Sequence, residues 1–156
     1  MVVYCIDTSA LIAAWQERYP IENFPPFWRR VDGLINDGRL TAPMEVLRET
    51  GRRSDELHTW LSARKQMFRE LEEAIQIEAA SVLAQFPRLV GERKLRTSAD
   101  PFVIALARVD NVPIVTDEKP TGNLQRPNIP DVCTALRMLP CMSLLQLIQA
   151  EKWVIG

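Results

Sequence analysis

The stretch VVYCIDTSALI at residues 2–12 decides the fold, because it predicts a buried strand that leads directly into a helix. Residues 2–6 are apolar on both faces and rich in β-formers, which is typical of a central parallel strand covered on both sides. Asp7, Thr8 and Ser9 follow with oxygens that cap helices, and residues 10–16 have the composition of a helix. This order predicts the first strand and the crossover helix of a βαβ unit.

The rest of the chain continues to alternate strands and helices. Apolar residues at helical spacing predict helices at 27–37, from 43 onward and at 101–109, with a helical run at 54–77 in one piece or two. Short strands are predicted at 39–42 and 114–115, and a last strand at 153–155. Loops at 19–26, 95–100 and 121–130 and short helices from 131 and 143 complete the chain. The alternation predicts an α/β fold with a mostly parallel sheet.

Length and composition narrow the class of protein. The chain has 156 residues, of which 47% are hydrophobic and 25% charged, so we expect one domain over residues 1–156. With a net charge of -1, any binding of nucleic acid would depend on local Arg and Lys clusters or on a metal. The single histidine, His58, excludes multi-histidine metal sites and histidine-based triads. No apolar run approaches the roughly 20 residues that span a bilayer and no basic leader is visible, so we expect a cytoplasmic protein without a membrane partner.

Five acidic residues stand where the predicted fold brings them to one edge of the sheet. They are Asp7, Glu49, Asp100, Asp117 and Glu118. Asp7 and the pair Asp117 and Glu118 lie just past the C-terminal ends of predicted parallel strands. This is the edge at which ligand crevices form in open α/β sheets. Carboxylates gathered there repel one another unless a cation neutralises them, and their oxygens suit Mg²⁺ or Mn²⁺. The pattern favours metal-dependent phosphodiester chemistry, with these acids as the metal-binding and catalytic residues.

Each acid also has a simpler structural explanation. Asp7 and Asp100 stand at predicted helix starts, where Asp is a preferred cap. Glu49 is flanked by arginines and could be a solvated helix residue, whereas Asp117 and Glu118 could form a turn after an edge strand. Nearby hydroxyls could orient a carboxylate or cap a helix: those of Thr8, Ser9 and Thr116. It is the joint placement of the acids that favours a functional site.

The segments that carry these acids support a family resemblance. They are YCIDTSALI at 4–12, APMEVLRE at 42–49, ADPFVIALA at 99–107 and IVTDEK at 114–119. In these segments the chain resembles the PIN-domain ribonucleases, including the VapC-type toxins of prokaryotic toxin–antitoxin systems. The resemblance implies a PIN-like three-layer α/β/α sandwich with a mostly parallel central sheet. It also implies a metal-dependent endoribonuclease that hydrolyses RNA with Mg²⁺ or Mn²⁺.

The resemblance also assigns residues to the site. Asp7, Glu49 and Asp100 match the first three acids of the family. The fourth family acid stands two residues after a threonine, and the residue two positions after Thr116 is Glu118. Asp117 stands one residue earlier, and both acids stay candidates. Residues 54–96 are longer than the corresponding part of a minimal member, so an added helical hairpin is expected there.

Two protein partners are implied by the same resemblance. A toxin of this kind is restrained by an antitoxin protein that inserts a segment, with an Arg or Lys, into the acidic cleft. Proteins of this kind also form homodimers, and the apolar residues 144–148 with Trp153 could contribute to such a surface. The same residues could instead close the core of the monomer.

Three rival interpretations come from other classes of protein. A haloacid-dehalogenase-type phosphatase needs a second Asp at the position of Ser9, and a receiver domain needs an N-terminal acidic pair in addition to Lys119. The third rival is a catalytically degenerate PIN-like domain that acts as a protein- or RNA-binding module. A titration with Mn²⁺ separates this module from the enzyme.

Overall fold

Four parallel strands form the centre of the molecule. The computed structural model describes residues 1–89 and 98–155. Its strands are β1 (Tyr4–Ile6), β2 (Leu40–Pro43), β3 (Phe68–Arg69) and β4 (Ile114–Val115), in the order β3-β2-β1-β4. The register pairs Tyr4 with Leu40, Cys5 with Ile114, and Ala42 with Phe68, and every pairing is parallel. The C-terminal ends of β1 and β4 therefore lie side by side at one edge of the sheet.

Eight α-helices of the described residues flank this sheet and make a three-layer α/β/α sandwich, which confirms the predicted fold class. They are α1 (Thr8–Ala13), α2 (Pro25–Asn36), α3 (Met44–Gly51), α4 (Asp55–Ser62), α5 (Glu73–Gln85), α6 (Asp100–Asp110), α7 (Ile129–Ala135) and α8 (Leu144–Glu151). A π-helix at Ala14–Arg18 continues α1. None of the helices in the described ranges combines the length and the apolar character needed to cross a bilayer.

The core is continuous across β1 and α6. All three residues of β1 are buried, and residues 103–107 of α6 are fully buried where this helix packs on β1, β2 and α5. Two-sided burial explains why β1 carries apolar residues on both faces. Aromatic rings of α2 and α4 extend the core, with Trp28 in edge contact with both Trp15 and Trp60. The helices therefore hold the strand ends in fixed positions for the site.

The predicted strand at residues 153–155 is wrong. Lys152 adopts a left-handed conformation with φ 58°, and the Trp153 N–H donates to the carbonyl of Ile148. This bond closes the C-terminus of α8 and turns the chain back on the helix. Trp153 and Ile155 pack on the core without joining the sheet, and Val154 is exposed.

The helical run predicted at 54–77 is broken by a strand. A short 3₁₀ turn at Lys65–Met67 leads into β3, which pairs with β2 and buries Phe68. Residues 68–69 form a strand despite the helical spacing of the surrounding apolar residues, because they hydrogen-bond to the open edge of β2. The predicted hairpin at 54–96 is not formed by α4 and α5, because β3 separates them and they pack on α3 and α6 respectively; residues 90–96 lie outside the described residues. Of the predicted loop at 95–100, residues 95–97 lie outside the described residues, 98 and 99 have no helix or strand, and residue 100 already begins α6.

The apolar segment near the C-terminus mainly closes the monomer core. Leu144 and Leu147 of α8 are buried, and Ile148 packs against the core. Leu145 is 57% exposed on the opposite side of the helix. Residue 142, which precedes α8, pairs in parallel with Val115 and extends the sheet past β4.

Candidate functional site

The acidic residues gather at the edge of the sheet where β1 and β4 end. Asp7 directly follows β1, and Asp117 and Glu118 stand two and three residues beyond β4. The N-terminus of α6 brings Asp100 to the same edge, and α3 brings Glu49. The structure therefore places every predicted acid in one region, although their side chains have different surroundings.

Asp7 is the most deeply buried of these acids, with 1% of its surface exposed. One oxygen, Oδ1, accepts a hydrogen bond of 2.8 Å from the Ala10 N–H, so Asp7 does cap α1 as expected. The Ser9 hydroxyl donates to both carboxylate oxygens at 2.9 Å, and the Thr116 hydroxyl donates to Oδ2. The carboxyl group is thus held by donors from both strand ends, which fixes its orientation.

Burial raises the pKa of Asp7 to about 8. Loss of solvent is the main cause, and hydrogen bonds from Thr116 and Ala10 oppose it. The negative charges of Glu118 and Asp100 raise the pKa further. Glu118 is also joined to Asp7 through the Thr116 hydroxyl, which donates to Asp7 and accepts from the Glu118 N–H. An ionised Asp7 at this position lacks solvation, so a cation beside it would favour the charged form.

Glu49 links α3 to the start of α6. It is 8% exposed, so the interpretation of Glu49 as a solvated helix residue is wrong. Its Oε2 accepts a hydrogen bond of 3.2 Å from the Ala99 N–H, directly before Asp100. One carboxylate therefore fixes the position of another acid.

Asp100 is the first residue of α6 and is 9% exposed. Ala99 occupies the N-cap position, so the prediction that Asp100 itself caps the helix is wrong by one residue. The following proline accounts for this, because its fixed φ suits the first turn of a helix. A carboxylate in that turn is favoured by the partial positive charge of the helix N-terminus.

Asp117 and Glu118 point to different partners. The Asp117 carboxylate forms an ion pair of 2.7 Å with Arg18 at the end of the π-helix. Glu118 Oε1 accepts a hydrogen bond of 2.9 Å from the Ile129 N–H at the start of α7. Both backbones are tied to the donors of the Asp7 carboxyl, since the Asp117 N–H donates to the Ser9 hydroxyl and the Glu118 N–H donates to the Thr116 hydroxyl. Both residues therefore stay candidates for the fourth acid. Arg18 was not predicted as part of the site, since its pairing depends on how the π-helix ends.

The donor set is suited to a hard divalent cation in its chemistry. All the acids offer oxygen, and the Thr8 hydroxyl beside Asp7 is buried with no hydrogen-bond partner among the described residues. Within residues 1–89 and 98–155, however, no three His, Cys, Asp or Glu side chains already stand as a group that could hold a metal. Binding would therefore require the carboxylates to rotate toward one another.

Two comparisons with known proteins bear on this arrangement. A family model described as "Domain of unknown function (DUF4411)" matches residues 4–155, and so includes every acid of the site. A search of curated proteins found no match.

Proposed function

We propose that this chain, which belongs to the DUF4411 family, is a metal-dependent endoribonuclease that hydrolyses phosphodiester bonds of RNA. The observation that carries the proposal is the buried carboxyl of Asp7, at the C-terminal edge of a parallel sheet and close to the charges of Asp100 and Glu118. Concentrated negative charge of this kind is unfavourable in an apolar setting unless a cation accompanies it. The likeness of the four acidic segments to PIN-domain ribonucleases supports RNA as the substrate.

The residues have distinct parts in this proposal. Asp7, Asp100, Glu118 and Glu49 hold Mg²⁺ or Mn²⁺, and Asp117 is the alternative to Glu118. When bound, the metal would lower the pKa of water and offset the charge of the scissile phosphate. Ser9 and Thr116 keep the Asp7 carboxyl oriented toward its neighbours.

A cleavage assay tests the proposal directly. Purified protein is incubated with single-stranded RNA in Mg²⁺, in Mn²⁺ and in EDTA. We expect cleavage only with metal, and loss of cleavage in Asp100→Asn. Glu56→Gln, at an exposed acid of α4, is the matched control and should retain full activity. Cleavage that persists in EDTA, or that survives Asp100→Asn, contradicts the proposed mechanism.

The cellular role that we propose is that of a cytoplasmic toxin restrained by an antitoxin protein. A cluster of carboxylates would accept an inserted Arg or Lys from such a partner, because a guanidinium pairs well with carboxylates. Growth arrest on expression of the wild type, but not of Asp100→Ala at equal protein level, is the expected result. A homodimer would use the exposed side of α8 around Leu145, because much of the rest of that apolar segment already packs within the monomer.

A second candidate is a catalytically degenerate domain that binds protein or RNA. It is favoured by the fact that Asp117, Glu49 and Glu118 each already have a protein partner, in Arg18 and in two backbone N–H groups. A Mn²⁺ titration followed by calorimetry separates the candidates. Binding that is lost in Asp7→Asn supports the enzyme, whereas no binding to the wild type supports the module.

A further inference from the structure

The loop at residues 119–128 is exposed but firmly braced. Residues 119–126 are all exposed, and the chain there has no helix or strand. The buried carboxylate of Asp131 nevertheless accepts hydrogen bonds from the N–H groups of Thr121, Gly122 and Asn128, at 2.8 to 2.9 Å. The Thr121 hydroxyl donates to the same carboxylate, and the Asn128 amide donates to the carbonyl of Lys119. An exposed segment held in this way is pre-organised, which lowers the entropic cost of binding a partner.

The loop at residues 119–128 is positively charged, whereas the whole chain is slightly negative. Lys119 and Arg126 are exposed, and no acidic residue occurs between 119 and 128, whereas the chain has a net charge of -1. Asn123 and Gln125 add amide groups, and Leu124 is 50% exposed. This combination suits a polyanion with exposed bases, because cations contact phosphates while amides and apolar groups contact bases.

The loop is continuous with the acidic site. Its first residue directly follows Glu118, and Glu118 bonds to the helix that begins where the loop ends. On the neighbouring side, Asp117 holds the half-exposed guanidinium of Arg18 through one nitrogen. In the part of the chain that the structure describes, that guanidinium has no second partner, so further N–H donors stay available for a phosphate.

We propose that Arg18 and the braced loop at 119–128 form the surface that binds single-stranded RNA next to the acidic site. This inference rests on the proposed function for the choice of substrate. Asp117 then acts as a positioning residue, because its ion pair holds Arg18 beside the acidic site. Asp131 acts likewise through the loop, and neither carboxylate contacts the RNA.

RNA binding measured in EDTA tests the surface without cleavage. Fluorescence anisotropy of a labelled single-stranded RNA is recorded over a range of salt concentrations. Each phosphate contact with a single strand contributes about 0.7 to the slope of log affinity against log salt. The variant R18Q/K119Q/R126Q should therefore bind more weakly and lower that slope by about 2. The control R29Q/R30Q/K65Q removes the same charge from exposed positions elsewhere and should change the slope little.

A second variant separates bracing from charge. Asp131→Asn makes the protein more positive, yet it should weaken RNA binding, because an NH2 group replaces one of the two oxygens that accept from the loop N–H groups. If that variant melts early, Thr121→Val serves in its place, because it removes only the hydroxyl that donates to Asp131 and to the Asn123 carbonyl and accepts from the Asn123 N–H. The inference is overturned if the affinity for RNA rises in both Asp131→Asn and Thr121→Val. It is also overturned if R18Q/K119Q/R126Q binds RNA in the same way as the control R29Q/R30Q/K65Q. RNA cleavage in Mn²⁺ is measured separately. If RNA binding depends on this surface but no cleavage occurs, this inference holds and the proposed nuclease activity fails. If cleavage occurs but binding does not depend on this surface, the nuclease activity holds and this inference fails.

Discussion

Replacing Asp7 by Asn should stabilise the metal-free protein by an amount that grows with pH. The folded protein raises the pKa of Asp7 from 3.8 to about 8 because the group is buried. Between these two values the folded chain keeps a proton that the unfolded chain releases, so wild-type stability falls as pH rises. Below pH 4 Asp7 is protonated in both states and causes no loss of stability. Above pH 8 it is ionised in both states, and the loss of stability no longer changes with pH.

The size of the effect follows from the linkage. One pKa unit corresponds to about 1.4 kcal/mol, so the interval from pH 4 to pH 7 amounts to about 4 kcal/mol. Asn has the shape of the neutral carboxylic acid, and its carbonyl can still accept the Ala10 N–H. The variant therefore keeps the cap of α1 while it removes the titrating group.

Urea unfolding in EDTA at pH 4, 5, 6 and 7 measures this difference. We expect the stability of Asp7→Asn minus that of the wild type to rise steadily over the series. Glu56→Gln, an exposed acid, should show a flat difference over the same range. A flat difference for Asp7→Asn, or a wild type that gains on the variant as pH rises, would mean that Asp7 is ionised in the folded protein and would refute the reasoning. Added Mn²⁺ should stabilise the wild type and not the variant.

Other changes test the neighbouring structure. Thr116→Val removes a buried hydroxyl that serves the carboxyl cluster, and should cost about 1–3 kcal/mol in urea unfolding. Gly51→Ala would place a Cβ 2.9 Å from the His58 ring, so its melting temperature should fall, and the double variant with His58→Ala should recover; a single variant as stable as wild type would contradict this. Leu147→Ala should cost about 2–5 kcal/mol, because Leu147 is buried. Leu145→Ser should leave stability unchanged, and sedimentation of this variant shows whether a dimer depends on that residue.

Much of the fold could be predicted because its strongest signals are local. The apolar run at the N-terminus and the apolar helix after Pro101 are both buried on nearly all sides, so their composition alone indicates their place. Four of the acids have local signals of the same kind, since Asp7, Asp117 and Glu118 follow strands and Asp100 begins a helix, whereas Glu49 lies inside α3. A parallel sheet then brings such positions to one edge.

The errors arose where distant parts of the chain decide the local structure. Phe68 is a strand residue because the edge of β2 was open for pairing, and its own neighbours in sequence resemble a helix. The partner of Asp117 could not be predicted, because the ion pair joins residues 99 positions apart through a π-helix. Likewise, nothing in sequence spacing indicates that Glu49 bonds to the backbone before α6.

The ends of the sheet have a consequence for self-association. On one side the sheet ends in β3, which has two residues. On the other side Met142 occupies the open edge of β4: its N–H donates to Ile114, and its carbonyl accepts from Thr116. Long open strand edges act as templates for other chains, and within residues 1–89 and 98–155 these two edges offer too few backbone groups for that. A high local concentration of this protein should therefore not lead to strand-to-strand fibres, and any assembly that it forms should proceed through side chains on its helices and loops.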